Sequence, residues 1–194
     1  MTRVIALTGA ERGTLPSCCV DCIFWQSQRA TVDADRKTSW VAGFEEAHGA
    51  WGRILLDGEE FLGMLQYGPA TAFPRARTLP AGPPRPDGAL LTCTFLGDAD
   101  PSGVLERLLL EALADLKVRD VPSVDAFATA PAPGNEAGHH TLFDRAILMR
   151  LGFAPVRARG PISLMRLALG GIERSPSRAR ETVPAPPPAA PHPA

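Results

Sequence analysis

Apolar and polar positions change their period several times along these 194 residues, and each change predicts an element. The clearest run is Ser102–Lys117. Leu105, Leu108, Leu109, Ala112 and Leu116 recur at helical spacing, while Glu106, Arg107, Glu111 and Asp115 lie off that stripe. Just upstream, Ala89–Leu96 is almost wholly apolar and predicts a buried strand. Strict alternation would put Leu91, Cys93 and Phe95 on one face of it. A short turn joins strand and helix, with Asp100 or Ser102 placed to cap the helix and Pro101 beside it.

The rest of the chain reads in the same way. Val4–Leu7 predicts a first strand. Asp33 or Asp35 caps a helix to about His48, with Trp40, Val41, Phe44 and Ala47 on one side and Gly49 and Gly52 at its end. Arg53–Leu56 and Glu60–Tyr67 predict strands about an Asp57-Gly58 turn. Ser123–Ala128 is another strand. A helix from His140 or Thr141 runs through Leu151 and stops at Gly152. Ala154–Arg157 and Ile162–Leu169 close the pattern about Gly160-Pro161. The order β-α-β-β-loop-β-α-β-α-β-β predicts a layered, mixed α/β fold: an antiparallel meander in front, a β-α-β crossover behind.

Composition narrows this picture. The chain is 45% hydrophobic with a formal net charge of -1, which suits one domain with a real core and leaves no basic footprint for nucleic acid. No apolar run reaches the ~18 residues of a membrane span, and the N-terminal apolar stretch is too short for a secretory signal, so a cytoplasmic protein is expected. From residue 170 to 194 the chain turns proline- and alanine-rich without periodicity. The expected division is therefore a folded domain over 1–169 and a disordered tail over 170–194. A second proline-rich stretch, Pro69–Asp87, holds Phe73 and several arginines and reads as an ordered surface loop.

Candidate chemistry gathers in few places. A strand, a glycine-bearing turn and a helix N-terminus bring unpaired N–H groups and a helix dipole to one spot, an arrangement suited to a phosphate. Asp98 and Asp100 make this turn acidic, which opposes an anion. Cys18, Cys19 and Cys22 cluster near the N-terminus. Packing beneath the sheet is the plain reading; redox sensitivity and metal binding are the alternatives, and no metal site is expected, because two zinc ligands are not four. His139-His140 reads as an exposed loop pair or helix cap, Tyr67 as an anchor, and Arg75, Arg77 and Arg85 as solvating charges.

The segment Phe143–Leu169, FDRAILMRLGFAPVRARGPISLMRLAL, resembles the close of the GNAT superfamily of acetyl-CoA-dependent N-acyltransferases. Cys19-Val-Asp-Cys22-Ile-Phe-Trp25, the hairpin GRILLDGEEFLGMLQYGPATAFPRA and LLTCTFLG are similar to a bacterial group within it. The resemblance implies a GNAT-like domain with a mixed, mainly antiparallel central sheet flanked by helices. It implies acetyl-CoA as cofactor and an amine, on a small molecule or a protein, as acceptor. Its contacts to the cofactor, largely through the backbone, would come from Phe95, Leu96, Gly97, Ser102, Gly103 and Val104. Central strands that splay apart would leave backbone groups free for the pantetheine arm. The family signature [Q/R]-x-x-G-x-[G/A] aligns with Asp98–Glu106: Gly103 stands for one glycine, the leading Gln/Arg is missing, and Leu105 replaces the second glycine. No catalytic residue is assigned; where many members carry a tyrosine, Phe143 and Met149 stand here. The alternative implied is a non-catalytic binding or regulatory module. Relatives that pair through their last strands suggest a homodimer.

Overall fold

A computed structural model describes residues 1–130 and 137–170. Its strands are β1 (Thr2–Leu7), β2 (Gly52–Asp57), β3 (Glu60–Pro69), β4 (Ala89–Leu96), β5 (Ser123–Thr129), β6 (Gly138–His140), β7 (Phe143–Asp144), β8 (Ala154–Arg159) and β9 (Ile162–Ala168). Its helices are α1 (Ser17–Val20), α2 (Ala34–His48), α3 (Pro101–Val118) and α4 (Arg145–Arg150). The sheet runs β1-β2-β3-β4-β5-β9-β8, with β6 beside β4 and β7 beside β5. Along that main path every neighbouring pair is antiparallel except β4 and β5. This is a mixed α/β fold with a mostly antiparallel sheet flanked by helices. Among the described residues no helix is long and apolar enough to cross a membrane.

Local sequence explains the boundaries. The Asp33 carboxylate accepts the Arg36 N–H at 3.0 Å and starts α2; Gly49, at φ +74°, ends it. Gly58, at φ +60°, makes the tight turn between β2 and β3. Alternation then divides the apolar side chains between two cores. Leu55, Leu65, Tyr67 and Leu91 pack with α3 and α4 on one face. Ile54, Leu56, Met64 and Leu90 pack on the other with Trp25, Val41 and Phe44.

Strict alternation fails in β4. Tyr67 pairs with Leu91 but Leu65 pairs with Thr94, so β4 carries one extra residue against β3. The bulge turns the strand over: Leu91 joins the α3 core, while Cys93 joins the opposite core. The expected shared face of Leu91, Cys93 and Phe95 is corrected accordingly. The last helix also starts later than the sequence pattern predicts. Gly138–His140 and Phe143–Asp144 are short strands, and the Asp144 carboxylate caps α4 by accepting the Ala146 N–H at 2.6 Å. The tail expected over residues 170–194 falls almost wholly outside the described residues.

Pro69–Asp87 is ordered, as expected, around buried Phe73, Ala76 and Ala81. Arg75 is not merely solvated. Its guanidinium donates to the carbonyls of Phe24, Ser27 (2.9 Å) and Ala30 (2.9 Å) and lies 4.2 Å from the Phe24 ring centre. One side chain thereby ties the cysteine-bearing N-terminal segment to the proline-rich loop.

Candidate functional site

β4 and β5 pair in parallel only from Ala89–Leu91 against Val124–Ala126. Beyond the bulge the two strands part, and α3 begins just past the end of β4. The resemblance led to an expectation of free backbone groups in this gap. The chain itself fills it. Gly138, His139 and His140 of β6 lie antiparallel against Leu96, Phe95 and Thr94. On the far side of the gap, Phe143 and Asp144 of β7 pair with Ala128 and Thr129 of β5. His139 and His140 are thus strand residues on β4 rather than a loop pair; burial, and then the charge of His140, hold the His139 imidazole below its usual value.

The helix end is filled in the same manner. Asp100 takes the left-handed conformation, φ +46°, and its carboxylate accepts the Gly103 N–H at 3.2 Å. A Cβ on residue 103 would strike that carboxylate, so glycine is what lets it fold over the first turn of α3. The Val104 N–H donates to the Asp100 carbonyl at 3.0 Å, and the Gly97 N–H to the Leu62 carbonyl at 2.8 Å. Of the six residues expected to contact acetyl-CoA, Phe95 and Leu96 therefore pair with β6, Gly97, Gly103 and Val104 donate within the chain, and Ser102 is exposed on the first turn of α3. The six do converge on one gap and one helix end.

On the other face of the sheet, directly behind the bulge, lies a small cavity bounded by Cys19, Cys22, Cys93 and Lys37. Burial pushes the Cys93 thiol up to about 12; burial, with neighbouring Cys93 adding to it, raises the Cys19 thiol as well. Burial also lowers Lys37. Among the described residues, no three His, Cys, Asp or Glu groups are placed to hold a metal ion. Lys37 escaped the sequence reading because it stands within the apolar stripe of α2. The available signal was composition: only two of the twenty lysines and arginines are lysine. A wider pocket, about 330 Å³, lies at the start of β4 among His48, Asp87 and Arg119, away from the gap and from the N-terminus of α3.

Expected positions for a proton donor are empty of one. Phe143 is buried in the core and Met149 is exposed on α4. Tyr67 is an anchor: its hydroxyl donates to Asp115 of α3 at 2.8 Å.

No protein-family model matches this chain, and no curated protein does. Solved structures do match. The ribosomal-protein-S18-alanine N-acetyltransferase of Escherichia coli aligns over 90% of this chain and 98% of its own, at 13% identity and a TM-score of 0.55. The GNAT domain of S. lividans PAT covers 86% and 90%, at 15% identity and 0.53. The fold is GNAT-like. A third match, PaiA N-acetyltransferase from Thermoplasma acidophilum in complex with coenzyme A, covers 87% and 99%, at 12% identity and 0.52. Identities this low establish the GNAT-like architecture alone.

Within that fold, the residues present suit the chemistry of acyl-CoA in one respect and oppose it in another. The edge of β4 already holds a strand of amides, and the N-terminus of α3 already holds a carboxylate. These are the peptide counterparts of pantetheine amides and of a pyrophosphate. Both places are taken by the chain itself.

Proposed function

We propose that this protein is a cytoplasmic, acyl-CoA-dependent N-acetyltransferase acting on an amine, whose cofactor groove is closed by its own residues. The observation that carries the reading is the parted β4–β5 pair with an amide strand lying on the exposed edge of β4. The GNAT-like fold supports it, and four free thiols agree with a reducing compartment. An acyl-CoA would exchange like for like: β6 for the pantetheine arm, the Asp100 carboxylate for a phosphate. Such an exchange is nearly balanced in hydrogen bonds, so affinity is modest. Asp98 and Asp100 reduce it further by charge.

A second reading, a non-catalytic binding or regulatory module, is favoured by the same closure if β6 never leaves. Chromatographic detection of coenzyme A released from acetyl-CoA, with mixed primary amines and peptide N-termini as acceptors, separates the two. Release above the amine-free rate supports transfer. Binding of acetyl-CoA without release under any acceptor supports the module.

A further inference from the structure

The N-terminal segment carries a C-x-x-C pair whose backbone is already folded for a bond between the two sulfurs. The Cys22 N–H donates to the Cys19 carbonyl at 3.3 Å. A hydrogen bond of this span closes a turn whose end Cα atoms lie within about 7 Å, and a disulfide spans Cα atoms about 4.4–6.8 Å apart. Both side chains border the small cavity behind the β4 bulge, so they leave the turn towards one side. The turn is also held from outside. Arg12 donates Nε to the Val20 carbonyl at 2.9 Å and Nη2 to the Asp21 carboxylate at 2.7 Å, which clamps the two intervening residues. The Asp33 N–H donates to the Asp21 carbonyl at 3.0 Å, and the Ile23 N–H to the Thr31 carbonyl at 2.9 Å.

Exposure separates the roles of the two thiols. Cys22 is half-buried and reaches solvent, whereas Cys19 is 5% exposed. The remaining thiols are placed less well. Cys18 is exposed and its sulfur lies 3.8 Å from that of Cys19, but the peptide between them is trans. Such neighbours are held about 3.8 Å apart at Cα, too close for an unstrained disulfide. Cys93 is buried in β4 with its sulfur 3.6 Å from the Gln66 oxygen. We propose that Cys19 and Cys22 form a reversible dithiol–disulfide pair oxidised by peroxide, with Cys22 as the attacking thiol and Cys19 as the resolving one. The Cys22 sulfur attacks a peroxide oxygen: an S–O bond forms, the O–O bond breaks, and the departing hydroxide leaves as water with the thiol proton. The Cys19 sulfur then attacks the Cys22 sulfur: the S–S bond forms, the S–O bond breaks, and a second water carries off the Cys19 proton. The pair loses two electrons and peroxide gains them. Exchange with an external dithiol returns both thiols.

The test treats the reduced, full-length chain with a small excess of hydrogen peroxide and counts free thiols in denaturant. The count should fall from four to two and return to four with dithiothreitol. Differential alkylation, with one reagent before reduction and another after it, should put the first label on Cys18 and Cys93 and the second on Cys19 and Cys22. Cys19→Ser should stop at a Cys22 sulfenic acid that dimedone traps, and Cys22→Ser should keep Cys19 reduced. A count that stays at four overturns the proposal. So does a disulfide that includes Cys18 or Cys93, or one that joins two chains. Should Cys19→Ser not fold, the alkylation map of the native chain and Cys22→Ser decide the matter alone.

Discussion

Asp125 is a carboxylate with almost no exposed surface, and both of its oxygens are engaged by donors. Arg166, directly opposite on β9, donates Nε at 2.6 Å and Nη2 at 2.8 Å, and the Arg85 backbone N–H donates at 2.8 Å. Removing the carboxylate strands the guanidinium, so Asp125→Ala should cost about 3–5 kcal/mol in urea denaturation. A loss under ~1 kcal/mol would show that the pair is not buried as described. Cys93 gives a pH signature. Its thiol is raised in the fold from an ordinary 9.0 to about 12, so the folded chain keeps a proton that the unfolded chain releases. Stability from this group is complete below pH 9 and is lost as pH rises towards 12. Cys93→Val should flatten that alkaline decline; an unchanged slope would place the thiol in contact with water. None of these partners is legible in the sequence, because Asp125 and Arg166 are forty-one positions apart and only register brings them together. Lys37 was hidden for a different reason, since a polar residue within an apolar stripe reads as a boundary of the face rather than as part of the core.

At the scale of elements, what was legible is what local rules determine. The α3 stripe, the Asp33 cap and the Asp57-Gly58 turn are written within a few residues of themselves. Leu108 is fully buried against the sheet, and Leu108→Ala should cost about 2–5 kcal/mol by chemical denaturation. A negligible change would remove the basis for placing the preceding turn. β6 was not legible. Three residues carry no period, and its partner β4 lies about forty positions upstream. The β4 bulge was equally hidden, since an added residue shows only against the partner strand. Closure by β6 predicts a measurable exchange. Saturating acetyl-CoA should speed amide hydrogen exchange at Gly138–His140 while leaving Thr94–Leu96 protected. Unaltered exchange at β6, with cofactor bound, would mean that acetyl-CoA lies elsewhere.

Over the whole molecule, the six residues expected to hold a cofactor fall at the end of β4 and the start of α3, where most of their backbone groups are already engaged. Six residues were expected to offer free backbone groups, and the chain uses most of those groups for its own strand and cap. Two forces then compete for an incoming acyl-CoA. The N-terminus of α3 favours an anion by roughly 0.3–1 kcal/mol, while Asp98 and Asp100 each oppose a phosphate by about 1 kcal/mol if exposed near it in water. Titration calorimetry with acetyl-CoA tests this balance most directly. The native chain should bind with a dissociation constant of tens of micromolar or weaker, about -6 to -7 kcal/mol. Asp98→Asn combined with Asp100→Asn, which keeps a capping oxygen and removes both charges, should bind more tightly, most clearly at low salt. No heat of binding in that double variant at millimolar acetyl-CoA would contradict the acyltransferase account and leave the binding module in its place.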